Sequence, residues 1–110
     1  MQTGKIIFDQ IKTLIPQQVL WIWGASRFQS FSEEFFQDIP HLGGLLFKVR
    51  GSSHSGHIMI QLAPNDTYTV STGKLYARKF RKIETISEVY IDMLPEILHK
   101  MIENKNVEVA

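Results

Sequence analysis

Three short stretches between residues 45 and 72 alternate apolar and polar side chains with a period of two, and they constrain the fold more than any other feature. The apolar members are Leu45, Phe47 and Val49 in the first stretch, Ile58, Ile60 and Leu62 in the second, and Tyr68 and Val70 in the third. This period is typical of β-strands with one face buried and the other in water. Because the connections are short, the strands at residues 45–50, 57–62 and 67–72 are predicted to form an antiparallel sheet.

Two amphipathic helices are predicted at the ends of the chain. Residues 3–15 carry an apolar stripe at helical spacing and are followed by Pro16, and residues 90–105 carry a similar stripe. A further strand is predicted at residues 19–25, where both faces are apolar and Gly24 marks the end. The elements together predict an α+β fold, a two-layer sandwich in which the two helices pack on an antiparallel sheet of about four strands.

Residues 26–44 show no regular period, although they contain Phe28, Phe31, Phe35 and Phe36. So much aromatic surface is costly to leave in water. We therefore expect this segment to pack over one end of the sheet, with two tryptophans, Trp21 and Trp23, as candidate contacts.

Residues 75–86 fit more than one structure. Phe80, Ile83 and Ile86 lie at helical spacing, but the segment is short and highly charged. A helix, an edge strand and an extended linker all remain open. A chain of 110 residues without a linker-like stretch is expected to form one domain over residues 1–110.

Composition excludes several classes of site. The chain has no cysteine, which rules out disulfides, thiolate metal sites and cysteine nucleophiles, and a cytoplasmic location is the expectation that fits best. No stretch approaches the roughly 20 apolar residues of a membrane-spanning helix, so a soluble protein without a membrane partner is expected. The net charge of +1 indicates no nucleic-acid partner unless cations gather locally.

A local basic segment does occur, at residues 74–82. Its cations are Lys74, Arg78, Lys79, Arg81 and Lys82, and the aromatic residues between them are Tyr76 and Phe80. Cations interleaved with aromatic rings suit contacts to phosphates and bases, and Lys48 and Arg50 on the polar sheet face would add to them. The alternative, which the near-zero net charge favours, is a solvated segment paired with the acids that follow it at 84, 88, 92 and 96.

No catalytic, metal or cofactor site is predicted. His54 and His57 form a close histidine pair in a glycine- and serine-rich loop, but a metal would need a third, distant ligand. The loop also lacks the lysine and hydroxyl that follow the second glycine in a P-loop. No serine lies in a nucleophile-elbow pattern, and a polar hairpin connection accounts for the loop.

The aromatic residues supply the leading functional hypothesis. They are Trp21, Trp23, Phe28, Phe31, Phe35 and Phe36. Burial in the core is the ordinary outcome for such residues, whereas exposure would mark a protein-interaction or homodimer surface. The sequence thus predicts a non-catalytic interaction or self-associating module. The alternative is a nucleic-acid-binding accessory protein that uses residues 74–82, and the third is a small-ligand binder or enzyme with a pocket between the aromatic segment and the sheet.

Overall fold

A computed structural model describes residues 3–52, 54–77 and 79–103. In chain order its elements are α1 (Thr3–Leu14), α2 (Gln17–Ile22), β1 (Ser26–Phe31), β2 (Gly44–Arg50), β3 (Ser55–Leu62), β4 (Tyr68–Tyr76), β5 (Lys79–Val89), a 3₁₀ turn (Ile91–Met93) and α3 (Leu94–Ile102). The strands form one antiparallel sheet in the order β1-β2-β3-β4-β5, in which each strand pairs with its neighbour in the sequence.

The predicted α+β fold is confirmed, with helices from both ends of the chain on one face of the sheet. The three alternating stretches are β2, β3 and β4, and their apolar rows share this face. Phe47 pairs with Ile58, and Ile60 pairs with Val70. Ile7 and Ile11 of α1 and four residues of α3 complete the core: Leu94, Leu98, Met101 and Ile102. Burial of these rows, at about 25 cal/mol per Å², is the main stabilising contribution.

The strand predicted at residues 19–25 is wrong, because Gln17–Ile22 forms a helix. Pro16 lies at the N-cap, where its fixed φ suits a helix start, and its carbonyl accepts hydrogen bonds from the amides of residues 19 and 20. Gly24, at φ 65°, ends α2 in a Schellman motif, in which Ala25 N–H donates to the Leu20 carbonyl at 3.0 Å. A short apolar run fits either a strand or a buried helix, and here the local capping signals decide.

The sheet has five strands rather than about four, and β1 and β5 lie in the two segments that lacked a clear pattern. In β5 the register shifts twice, at the partners Thr72/Gly73 and Tyr68/Val70. Each bulge adds a residue to β5 and changes the face that the following residues occupy. Ile86 and Val89 pack with the helix-side core, whereas Phe80 contacts Phe36 on the opposite face and Ile83 is exposed. β1 has a bulge at Arg27, with φ 56°. Phe28 and Phe31, three residues apart, lie on opposite faces of the sheet, as regular alternation requires.

The C-terminal helix predicted at residues 90–105 is present but begins later. Residues 91–93 form the 3₁₀ turn, and α3 follows with Pro95 in its first turn, where the missing amide has little cost. Residues 104 and 105 lie outside the described part of the chain.

Candidate functional site

The face of the sheet opposite the helices, here called the second face, is only partly open. The sequence predicted that this face lies in water, but Leu46, Met59, Gln61 and Ser71 on it are buried. That expectation is wrong for half of the face because residues 32–43, here called the covering loop, lie across it. The loop connects β1 to β2 and reaches β5 at the opposite edge of the sheet.

A row of aromatic rings packs the covering loop against the second face. Phe31, at the end of β1, contacts Phe36 of the loop with ring centroids 5.0 Å apart. Phe36 in turn contacts Phe80 of β5 at 6.4 Å, with the rings close to perpendicular. Edge-to-face pairs of this kind add to the free energy gained by burial. The prediction that the aromatic segment packs over the sheet is therefore confirmed for Phe31 and Phe36.

His41 holds the covering loop in shape. Its Nε2–H donates to the carbonyls of Phe35 at 2.7 Å and Phe36 at 3.2 Å, while Nδ1 accepts the Gly43 amide at 2.9 Å. Both ring nitrogens of this buried histidine are thus satisfied by backbone groups. The loop turns back on itself here, which brings Phe36 over the sheet.

Two glycines within strands make room for the rings. A Cβ at Gly73 of β4 would lie 2.7 Å from Cζ of Phe80, and one at Gly44 of β2 would lie 2.6 Å from Cζ of Phe31. No side chain fits between strand and ring at these distances. A glycine inside a strand is therefore the sequence signal for a close approach of this kind.

Lys82, Asp38 and Gln61 form a polar network beneath the covering loop. The Lys82 ammonium lies 2.5 Å from Oδ2 of Asp38 and donates to Oε1 of Gln61 at 3.1 Å. Gln61 is fully buried and donates through Nε2 to the Phe36 carbonyl at 3.2 Å. The network links β3, β5 and the covering loop.

The network changes the acidity of Asp38. Partial burial acts to raise the pKa of this carboxyl group, but the hydrogen bond from Lys82, the charge of Lys82 and a hydrogen bond from Gln61 outweigh it. The pKa of Asp38 therefore lies below its ordinary value, and the carboxylate is charged at neutral pH.

A cavity of about 430 Å³ opens beside this network. Its walls include the rings of Phe36 and Phe80, with Met59 on the sheet beneath and Gln37, Asp38, Lys79 and Lys82 around them. A concave apolar site with a few convergent polar groups is the usual form of a small-molecule site. The cavity lies between the covering loop and the sheet.

A group of cations, here called the cation group, lies next to the cavity on the open half of the second face. It consists of Arg27 and Lys48, and the imidazoles of His54 and His57 lie beside them. Lys48 on β2 pairs directly with His57 on β3, and Ser26 on β1 pairs with Lys48. Burial lowers the pKa of His57, and the charges of Lys48, His54 and Arg27 lower it further. Arg27 and Lys48 are the permanent positive charges near His57, and they disfavour its protonated form.

The cations predicted from sequence to bind an anion or nucleic acid do not form one surface. Lys48 belongs to the cation group, Arg50 is exposed at the end of β2, and Lys82 is held by Asp38 and Gln61. Lys74, Lys79 and Arg81 gather instead at the far end of the β4–β5 hairpin. Arg78 lies outside the described residues.

The six aromatic residues predicted to form an interaction surface are also divided. Phe28 stacks on Phe47 in the helix-side core with centroids 4.9 Å apart, and Trp23 is buried beside His99. Neither Trp23 nor Phe28 lies under the covering loop with Phe31 and Phe36. Phe35 is 57% exposed on that loop, and Trp21 is 83% exposed on α2.

α2 presents the most exposed large apolar side chains among the described residues. Trp21 is followed by Ile22, which is 64% exposed, and the helix contains no charged residue. Two hollows lie on either side of Leu20, with volumes of about 420 and 320 Å³; Ala25 and Gln17 line both, and Trp21 lines the larger. A projecting apolar group and neighbouring hollows therefore occur on one surface, here called the α2 surface.

Four residues of the cavity and its polar network were not identified from the sequence in these roles: Asp38, Met59, Gln61 and Phe80. Gly44 and Gly73 are the signals that would have indicated rings lying on the strands. The Asp38–Lys82 contact joins distant residues and has no local signal in the sequence.

Within residues 3–52, 54–77 and 79–103, no three His, Asp or Glu side chains are grouped as metal ligands. None of the helices in this part of the chain has the length and apolar content needed to cross a membrane.

Comparison with protein-family models, with curated proteins and with solved structures finds no match to this chain.

Proposed function

We propose that the protein is a non-catalytic module that associates with a second copy of itself through the α2 surface. The observation that carries the proposal is Trp21, a tryptophan 83% exposed on a helix without charged residues. Tryptophan contributes disproportionately to binding free energy at protein interfaces. Exposed apolar surface of this kind is a common mark of an interaction site.

The shape of the α2 surface supports a second copy as the partner. In a two-fold dimer the same surface of each chain faces its equivalent, so it must be complementary to itself. Trp21 and Ile22 project beside two hollows of about 420 and 320 Å³, so the projecting side chains of one copy can enter the hollows of the other. Since α2 has no charged residue, its two copies can meet without like-charge repulsion within the helix.

Sedimentation equilibrium over a range of concentrations tests the proposal. We expect a mass that rises from the chain mass of 12.7 kDa to twice that value. Trp21→Ser removes the central contact and is expected to raise the dimer dissociation constant by about thirtyfold, the equivalent of about 2 kcal/mol. Trp21 is exposed, so the variant should keep its fold.

Phe35→Ser is the matched control, because Phe35 is also an exposed aromatic residue but lies on the covering loop. It should leave the dissociation constant unchanged. A monomer at every concentration, or equal effects of the two substitutions, would contradict self-association through α2. The cytoplasmic location expected from the sequence stays a prediction.

A second candidate function, nucleic-acid binding, is favoured by the end of the β4–β5 hairpin. Lys74 pairs with Arg81, and Tyr76 pairs with Lys79, so these four side chains share one face of the hairpin. Tyr76 is 61% exposed, as a base-stacking ring requires. Fluorescence anisotropy with a single-stranded oligonucleotide should give an affinity that falls steeply with salt and is abolished by Lys79→Glu with Arg81→Glu. An absence of binding at low salt excludes this function.

A further inference from the structure

One flank of α1 faces the 3₁₀ turn and forms a surface that the proposed self-association does not use, here called the α1 groove. It contains two hollows of about 350 and 630 Å³, and Gln10 and Ile91 line both. Residues 6, 10, 13 and 14 reach this flank at helical spacing. Phe8 and Lys12 lie on the opposite flank, where they line the smaller hollow of the α2 surface. The α1 groove and the α2 surface therefore lie on either side of α1.

The smaller hollow of the α1 groove presents apolar side chains. Ile6 and Leu14 of α1 and Ile91 of the 3₁₀ turn line it, and all three are exposed. Met93, which is also exposed, lines the larger hollow together with Ile91. Single exposed apolar side chains are ordinary on a protein surface, whereas several around one hollow are a common mark of an interaction site.

The larger hollow lies at the end of the sheet where β4 begins and β5 ends. Tyr68, the first residue of β4, pairs with Val89, the last residue of β5, and its hydroxyl donates to Oε1 of Gln10 on α1 at 2.7 Å. Asp66 comes two residues before Tyr68, and Asp92 comes three residues after Val89. The strand pairing thus brings both carboxylates to the same hollow, which they line.

The α1 groove is negatively charged. Asp9, Asp66 and Asp92 line it, and the described residues that line its two hollows include no lysine, arginine or histidine. Burial raises the pKa of the Tyr68 hydroxyl group, and the charge of Asp66 raises it further, so the negative potential reaches the wall of the larger hollow. Because opposite potentials face each other across interfaces, a partner for this groove carries positive charge.

Arginine fits the larger hollow better than lysine does. The ring of Tyr90 is exposed in this hollow, and Asp92 follows it by two residues. A planar guanidinium group can stack on an aromatic ring and donate to a carboxylate at the same time, whereas an ammonium group cannot stack in this way. Since the two hollows share Gln10 and Ile91, one short segment can place an arginine in the larger hollow and apolar side chains in the smaller one.

We propose that the α1 groove binds an arginine-containing amphipathic helix of a partner protein. Its arginine lies in the larger hollow with Asp66 and Asp92, and its apolar side chains lie against Ile6 and Leu14. The groove runs along α1 rather than along a strand edge, so a docked segment must satisfy its own backbone hydrogen bonds, as a helix does. Charge complementarity selects this partner over the α2 surface of a second copy, since α2 has no charged residue.

Fluorescence anisotropy with the full chain and three labelled peptides tests this proposal. Each peptide is an amphipathic helix of about 14 residues, roughly four turns, in which leucine is combined with arginine, lysine or glutamate. We expect the lysine peptide to bind about threefold more weakly than the arginine peptide, and the glutamate peptide at least tenfold more weakly. Asp92→Asn is expected to weaken binding of the arginine peptide about fivefold, because an exposed ion pair is partly screened by solvent.

Glu34→Gln is the matched control, since it removes the same charge from an exposed position on the covering loop. It should change the dissociation constant of the arginine peptide by less than a factor of two. Trp21→Ser separates the two surfaces: it should leave peptide binding unchanged, and Asp92→Asn should leave the dimer dissociation constant unchanged. Circular dichroism of Asp92→Asn verifies that the fold is intact.

Four results would overturn the proposal. They are no binding of the arginine peptide, equal binding of the glutamate peptide, equal effects of Asp92→Asn and Glu34→Gln, and loss of peptide binding in Trp21→Ser. The last result would place the peptide on the α2 surface. Oligomers larger than a dimer that Asp92→Asn abolishes would instead place a second copy in the groove, since contacts between unlike surfaces of one chain give open assemblies.

Discussion

Replacement of Lys82 by methionine should destabilise the protein mainly through Gln61. Methionine keeps much of the apolar stem but removes the ammonium that donates to Gln61 Oε1 at 3.1 Å. Because Gln61 is fully buried, its Oε1 loses a donor that water does not replace, at a cost of about 1–3 kcal/mol. Asp38 is half exposed and is hydrated again, so loss of the ion pair costs less than about 1 kcal/mol.

Lys82→Met is expected to lower the free energy of unfolding by about 2 kcal/mol in total, which corresponds to a fall in Tm of roughly 8 °C. Asp38→Asn should lower the free energy of unfolding by only about 0.5 kcal/mol, since it affects the exposed part of the network. The double variant Gln61→Leu, Lys82→Met should cost less than the sum of its single variants, because both buried partners are removed together. The Phe36 carbonyl retains its hydrogen bond from His41 in that variant.

Urea denaturation followed by tryptophan fluorescence measures these differences, with the buried Trp23 as the reporter. Lys74→Met, at an exposed position, is the matched control, and its free energy of unfolding should lie within about 0.5 kcal/mol of that of the parent. The reasoning is refuted if Lys82→Met does not differ from this control. It is refuted equally if Asp38→Asn costs as much as Lys82→Met.

Two further predictions concern the second face. Gly73→Ala should lower the urea midpoint, because the new methyl group would meet the backbone carbonyl oxygen of Arg81 and lie 2.7 Å from the ring of Phe80; a midpoint equal to that of the parent would show that neither group lies on Gly73. The pKa of His57 is lowered on folding by burial and by neighbouring cations, so the unfolded chain takes up its proton first as the pH falls below about 6.5. Stability should therefore decrease between pH 7.5 and 5.5, and His57→Gln should reduce that decrease; an identical pH dependence in the variant would contradict the assignment.

The middle of the fold was predictable because its pattern is local. In β2, β3 and β4 the side chains alternate between a helix-side core and a second face without interruption over the predicted residues. The alternation of apolar and polar residues is therefore visible in the sequence, and it predicts that Phe47 and Ile60 lie in the core. α1 and α3 were predictable for the same reason, since each has one apolar stripe facing the sheet.

β5 could not be recognised because its bulges alter the period. Ile83 is the extra residue at the first bulge and is exposed. In a regular strand it would pair with Thr72 and lie on the buried face of the sheet. α2 was mistaken for a strand because the run of five apolar residues at 19–23 contains no period at all. Pro16 and Gly24 mark the two ends of α2, so these two residues are the local signals that indicate a helix rather than a strand.

The second-face site was hidden for a different reason. The polar row of β3 correctly indicated a second face, but the sequence does not show that a loop returns over it. Asp38 meets Lys82 only after the covering loop crosses the sheet, and no spacing rule connects residues so far apart. The cavity is therefore a product of tertiary structure, although two of its lining residues, Lys79 and Lys82, belong to the basic segment recognised in the sequence.

The strand order has a consequence for the route by which the chain folds. Every hydrogen-bonded strand pair joins sequence neighbours, so the sheet can grow one hairpin at a time with little loop-closure entropy at each step. The contact of Phe36 with Phe80 is the exception, since it requires β5 to be in position first. Closure of the covering loop is thus expected to follow formation of the sheet.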